Sequence, residues 1–347
     1  MTRTVCLGCL LPLVLLGQEA NSGFDSALLT ESPRDGSAVS GGFRLLLYPT
    51  WKISKHWTVA GTVETVSRPY SVQDFSTQGY GIKTNVLQGY LCYSQFCKGG
   101  SVGVRVGQLS TAFGSFLLRY DDAINPLTDV PMSYGYYYSP VTILELAGAQ
   151  VDVNAGKLDL RAQFVNSSSA NPRGILDSDQ YGNWAGGVGY TIQQGLRIGA
   201  SSYRGPYLDR HYAFFFPGEA PPRTLPATAL GVEAQWGRGP WNIYSEWQHF
   251  RMDYRAISTF IEHTGYAEAR LVLSPRWYAA TRIGYIRANA LRGHQAYEFG
   301  VGFRPNRYQL AKLGYEIQQG PQFSGAQGNT LALQFVTTFR AISVARD

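Results

Sequence analysis

Charge is scarce in this sequence. Asp, Glu, Lys and Arg make up only 16% of its 347 residues, against about 25% in a typical globular protein. Long apolar runs are also missing. After the first twenty residues nothing approaches the ~18 apolar residues of a spanning helix. Together with a mean hydropathy of -0.16, this excludes a helical membrane bundle. Clusters of basic residues are absent too. The formal net charge is +6, but Lys and Arg are spread singly, so nucleic acid is excluded as a partner; it would call for a patch or arm. Cysteine is rare, with four residues. Cys6 and Cys9 fall in an N-terminal leader. Cys92 and Cys97 lack the further ligands of a metal site. They sit in a predicted turn, where an oxidising periplasm would bridge them into a small loop; two free thiols are the alternative. Nothing points to a cofactor.

Glycine and tyrosine are plentiful, at 39 and 23 residues, and aromatics reach 14%. Abundant Gly and Tyr with moderate hydropathy suit a sheet that is greasy on one face and wet on the other. In residues 295–304, Tyr297, Phe299, Val301 and Phe303 share one side, and Glu298, Gly300, Gly302 and Arg304 the other. A period of two means strand. The same pattern returns in 307–318 and 329–340. Strands of this length suit a tilted bilayer crossing, which takes about 9–11 residues.

Residues 1–20 read as a secretory signal, with Arg3 as the positive start and 5–16 as the apolar core. Residues 21–347 then form one domain. Hairpins follow one another along it. Their turns alternate between short (154–156, 193–195, 237–239, 274–276, 305–306) and long (166–182, 205–226). Short periplasmic turns and long external loops are the habit of transmembrane β-barrels. Trp51, Trp57, Trp236, Trp241, Trp277, Phe303 and Tyr308 all lie beside short turns, as an interfacial belt requires. Fifteen strands are visible. An even count with both ends in the periplasm needs one more, placed in 21–40. The expected fold is therefore an all-β, antiparallel transmembrane barrel of about 16 strands, within 14–18, and wide enough for an aqueous channel. A secreted soluble β-protein is the competing reading.

The polar sides of the strands carry the function. Arg105, Arg161, Arg197, Arg270, Arg282, Lys312, Glu246 and Glu298 all fall opposite the apolar side. A face so charged lines water rather than hydrocarbon. The stretch 109–146 lacks strand alternation, yet is too apolar and aromatic for disorder. It is expected to fold into the barrel as a constriction loop, with Arg119, Asp121, Asp122, Tyr134 and Tyr136 facing the path.

The segment Val106-Gly-Gln-Leu-Ser-Thr-Ala-Phe-Gly114, at a strand end before the long loop, resembles the phosphate-selective (O/P-type) porin family. So do the hairpin pieces at 184–190 and 195–203. The resemblance implies a 16-stranded, trimeric, anion-favouring porin with inward loops. Two departures stand beside it. There is no dense ladder of lumen Arg and Lys, and the terminal aromatic Phe339 is followed by eight more residues.

The function expected is a porin in the outer membrane of a Gram-negative-type bacterium. It would pass small hydrophilic or anionic solutes and contact membrane lipid and lipopolysaccharide. Rival readings are a channel for bulkier oligosaccharide or hydrophobic cargo, a plugged structural barrel, and an outer-membrane lipid-modifying enzyme. An enzyme needs a nucleophile beside a base. Only His249 and His263, with Ser245 and Ser258 near in sequence, offer a starting point, and no lipase-type motif surrounds them. The protein is read as a non-enzyme.

Overall fold

The computed structural model describes residues 20–33, 40–68, 70, 81–116, 121–134, 146–166, 181–207, 218, 220–289, 291–320 and 329–340. Residues 1–19 of the expected leader lie outside these residues, and Ala20 opens the first strand. Among the described residues sixteen strands form one closed antiparallel barrel. They are β1 (Ala20–Pro33), β2 (Ser40–Lys52), β3 (Trp57–Arg68), β4 (Gly81–Cys97), β5 (Gly100–Leu109), β6 (Leu146–Ala155), β7 (Leu158–Val165) and β8 (Asn183–Gln193), then β9 (Leu196–Pro206), β10 (Pro226–Arg238), β11 (Trp241–Met252), β12 (Phe260–Val272), β13 (Trp277–Ala288), β14 (Leu291–Asn306), β15 (Gln309–Gln319) and β16 (Thr330–Arg340). Each strand pairs with its neighbours in sequence. The seam joins β1 to β16, with Phe24 opposite Phe339. The strand inferred from parity is β1.

Alternation decides which side chains meet what. Leu230, Ile283, Leu313 and Leu333 point outward and are more than half exposed. So much bare aliphatic surface is stable only against hydrocarbon. No described helix is long and apolar enough to cross a membrane. The outward aromatics pack in pairs at the short-turn end. Trp277 lies 4.5 Å from Phe303 and Trp57 5.1 Å from Tyr93, between ring centroids.

One expectation is corrected. Cys92 and Cys97 are free. The turn between β4 and β5 is only Lys98-Gly99, so β4 stays extended as far as Cys97. Five strand steps cover roughly 16 Å and place the two thiols on opposite faces, beyond the reach of a disulfide.

Inside, the core is not a conventional apolar one. It forms where residues 110–116 and 121–134 lie inside the barrel. Phe113, Phe116 and Tyr134 are fully buried against Tyr203, Phe250 and Tyr266 of β9, β11 and β12. Leu127 packs with Tyr278, Leu310 and Val336 on β13, β15 and β16.

Candidate functional site

The inward loop begins at Leu109, where β5 ends. Gln163 of β7 catches it first. The Gln163 amide donates to the Ser110 carbonyl at 2.7 Å and accepts from the Ala112 N–H at 3.1 Å. Gly114 follows with φ of +79°, and a Cβ there would overlap the Tyr134 hydroxyl. This is a left-handed position that needs glycine for both conformation and space. The Gly114 N–H donates to Ser201 Oγ of β9 at 3.0 Å. Glu246 of β11 accepts from Ser115 Oγ at 3.1 Å and from Tyr134 Oη at 2.5 Å. One wall carboxylate thus pins both ends of the described loop. Burial, then the nearby Glu246 carboxylate, hold the Tyr134 hydroxyl well above its usual range, so it remains a donor.

The second pass, residues 121–134, is seated on β13–β16. Glu298 Oε1 accepts from the Thr128 and Asp129 N–H groups at 3.1 and 3.2 Å. Lys312 Nζ donates to the carbonyls of Asp122 and Leu127 at 2.6 and 3.1 Å. Arg282 lies between Glu268 at 2.7 Å and Glu298 at 2.8 Å. It also donates to the Asn125 side chain and the Asp129 carbonyl at 3.0 and 2.8 Å. A buried charge costs several kcal/mol unless paired and hydrogen-bonded, and here each cation has partners on several sides. Small wall residues make the seat possible. A Cβ on Gly300 would sit 2.7 Å from Leu127, and one on Gly314 would sit 2.5 Å from Thr128.

The loop's acidic pair splits. Asp122 reaches Arg44 of β2, the Tyr70 hydroxyl and Gln334 of β16, at 3.3, 3.3 and 3.0 Å. Burial, then the Asp122 charge, push the Tyr70 phenol well above its usual range. Asp121 turns the other way, accepting from Tyr48 Oη beside Asp25.

Four arginines of the wall are covered less. Arg105 grips Asp152 with two nitrogens, at 3.0 and 2.6 Å. Arg197 bridges Asp159 and Glu233 at 2.6 and 2.5 Å. Arg161 makes no ion pair among the described residues; it contacts the Gly114 carbonyl at 3.4 Å, and its Nε has no hydrogen bond there. Arg270 on β12 lies 4.6 Å from the Tyr278 ring centroid, also with an unpartnered Nε. These four arginines are half-buried.

All eight wall residues singled out in the sequence therefore face inward. Arg282, Lys312, Glu246 and Glu298 are buried under the loop, while Arg105, Arg161, Arg197 and Arg270 are partly open. Asp121, Asp122 and Tyr134 belong to the inward segment. Arg119 and Tyr136 lie outside the described residues. Sequence reasoning missed Arg44, Glu64, Tyr48 and Tyr70 as loop anchors. The signal was there: Arg44 is the one charged residue in the Phe43–Tyr48 run, on the inward parity.

No family model matches the chain, and no curated protein matches it. Solved structures do. Salmonella typhi OmpF aligns over 93% of this chain and 98% of its own, at 10% identity and a TM-score of 0.64. Pseudomonas putida OprB covers 94% of both chains at 11% identity and 0.62. A structure described simply as porin aligns over 92% of this chain and all of its own, at 10% identity and 0.57. The fold is porin-like. At such low identity the likeness speaks for the architecture alone. It includes the general porin fold and does not single out the phosphate-selective family.

Proposed function

We propose that the protein is an outer-membrane channel of a Gram-negative-type bacterium, passing small hydrophilic solutes by passive diffusion. The observation that carries this reading is the uneven cover of the inner wall. The loop is fastened to β7, β9, β11–β16 and β2, whereas the wall arginines Arg105, Arg161, Arg197 and Arg270 keep partial exposure. A 16-stranded barrel encloses more volume than side chains alone fill, and a half-open charged wall is suited to line the water that remains. Arg105, Arg161, Arg197 and Arg270 are the proposed lining.

Anion preference follows from pairing rather than from the count of cations. Arg105 and Arg197 are neutralised by Asp152, Asp159 and Glu233. Arg161 and Arg270 make no ion pair among the described residues, so they add positive potential to the path. That favours small anions weakly. It does not favour phosphate as a dedicated substrate, because only two of the four proposed lining arginines are unpaired, which is not a ladder. A homotrimer is the inferred assembly; Vibrio cholerae OmpT has been described in a trimer form.

Planar-bilayer recording of the purified protein tests the channel directly. Discrete conductance steps are expected, with a reversal potential in a salt gradient that favours chloride. Arg161→Glu should carry that potential toward cations. A barrel that never conducts would be plugged, and the reading would fall.

A further inference from the structure

The outward face has its own charge pattern. Among strand residues whose side chains are described, every Asp and Glu faces inward. Basic residues do not follow this rule. Arg204 on β9 and Arg251 on β11 flank Thr228 of β10 in register. One row nearer mid-barrel, His249, His263 and Arg287 are neighbours across β11, β12 and β13. All five point outward at the long-loop end. The corresponding ends of β3–β5 display Thr65, Thr84 and Gln108 instead.

These groups lack internal partners that would explain them. Arg204 and Arg287 make no ion pair among the described residues, and His249 Nδ1 has no hydrogen bond. Only Arg251 is engaged, through Nε to Asp253 at 2.9 Å. Cations facing hydrocarbon are costly, and near a membrane surface they seek phosphate. Directly beside them runs a groove of about 610 Å³ on the same outward face, bounded by Trp184, Gly186, Ser202, Thr228, Leu230 and His249, with Arg204 at its edge. Trp247 stacks on the histidine pair, whose own centroids are 4.7 Å apart. An aromatic wall, a floor of small residues and a basic rim describe a seat for an acyl chain below an anionic headgroup.

We propose that this patch binds a phosphorylated lipid of the surrounding leaflet, with one acyl chain in the groove and its headgroup phosphates on Arg204, Arg251 and Arg287. Strands lie about 4.8 Å apart, so β9 and β13 are separated by roughly 19 Å around the wall. One phosphate does not span that distance; a headgroup with phosphates at two ends does. The inference rests on the membrane-spanning reading but not on conduction.

The test uses the whole barrel in phosphatidylcholine nanodiscs containing a bisphosphorylated lipid A, with retained lipid measured by native mass spectrometry. The wild type is expected to hold the glycolipid. Arg204→Gln with Arg287→Gln should weaken retention by roughly tenfold. Thr228→Phe keeps every arginine, fills the groove and should also lose retention. Arg238→Gln, an outward arginine at the opposite end, should change nothing. Heat-modifiable gel migration shows separately that each variant is a folded barrel; a wild type without it would remove the membrane-spanning reading itself. Equal retention by the double variant or Thr228→Phe would overturn the proposal. So would equal binding of the dephosphorylated glycolipid, or displacement of the lipid by inorganic phosphate, which would mark a free-anion site.

Discussion

Arg44 and Asp122 meet at 3.3 Å inside the barrel, 78 residues apart in the chain. The same guanidinium holds Glu64 of the next strand at 2.7 Å. One side chain of β2 thus ties the inward loop to a pair of wall strands. Asp122→Ala leaves Arg44 with Glu64 but removes the carboxylate that accepts from Tyr70 and Gln334. The expected cost is about 2–3 kcal/mol, below the ~3–5 kcal/mol for orphaning a buried charge. Denaturant titration measures it. Single-channel records should show larger or noisier conductance as the loop loosens; unchanged records would mean that Asp122 does not hold it.

Gly314 offers a steric test of the same seat. Its missing side chain admits Thr128. Gly314→Val drives a branched side chain into that space, and the loop must lift from β15. Overpacking of this kind costs typically ~1–3 kcal/mol. The diagnostic is proteolysis: cleavage within 121–134 should appear in the variant and not in the wild type.

Tyr134→Phe separates the hydrogen bond from the packing. The ring stays among Phe116 and Tyr266, while Glu246 loses its shortest donor. A loss of about 1–3 kcal/mol is expected. Ion selectivity should hold steady, because Glu246 is buried away from the water path. A large shift in reversal potential would place Glu246 in the path after all.

Ile283 and Arg282 are adjacent in sequence and opposite in surroundings. Ile283 is 52% exposed on the outer face, whereas Arg282 is 3% exposed inside. Ile283→Arg puts a cation against the acyl chains and should destabilise by ~2–4 kcal/mol near the bilayer midplane. Folding in vesicles, followed by urea titration, reads this directly. A neutral result would mean that this wall does not meet lipid.

The period of two made most of the barrel readable in advance. Residues such as Leu158, Leu160, Phe164 and Leu313 state their side without ambiguity, and parity supplied β1 where the pattern of 21–40 was weak. Two things escaped. The stretch 90–97 mixes Tyr, Ser, Gln and Cys, which obscures the extension of β4; the short Lys98-Gly99 turn is a local backbone solution that composition does not announce. The loop's anchors also escaped, because a contact such as Arg44–Asp122 depends on where a non-repeating segment runs through three-dimensional space. Periodicity carries no information about that path. It identified Lys312, Arg282 and Glu298 as inward, but not that a second layer of chain lies over them.

The seam between β1 and β16 has a consequence for biogenesis. The first strand to be made finds its last neighbour only when the final residues arrive, so every shorter chain carries two raw hydrogen-bonding margins at once. Such margins recruit foreign strands. A nascent copy must therefore be escorted until Phe339 reaches Phe24, and a nonsense codon anywhere before β16 yields a sticky ribbon instead of a smaller working pore.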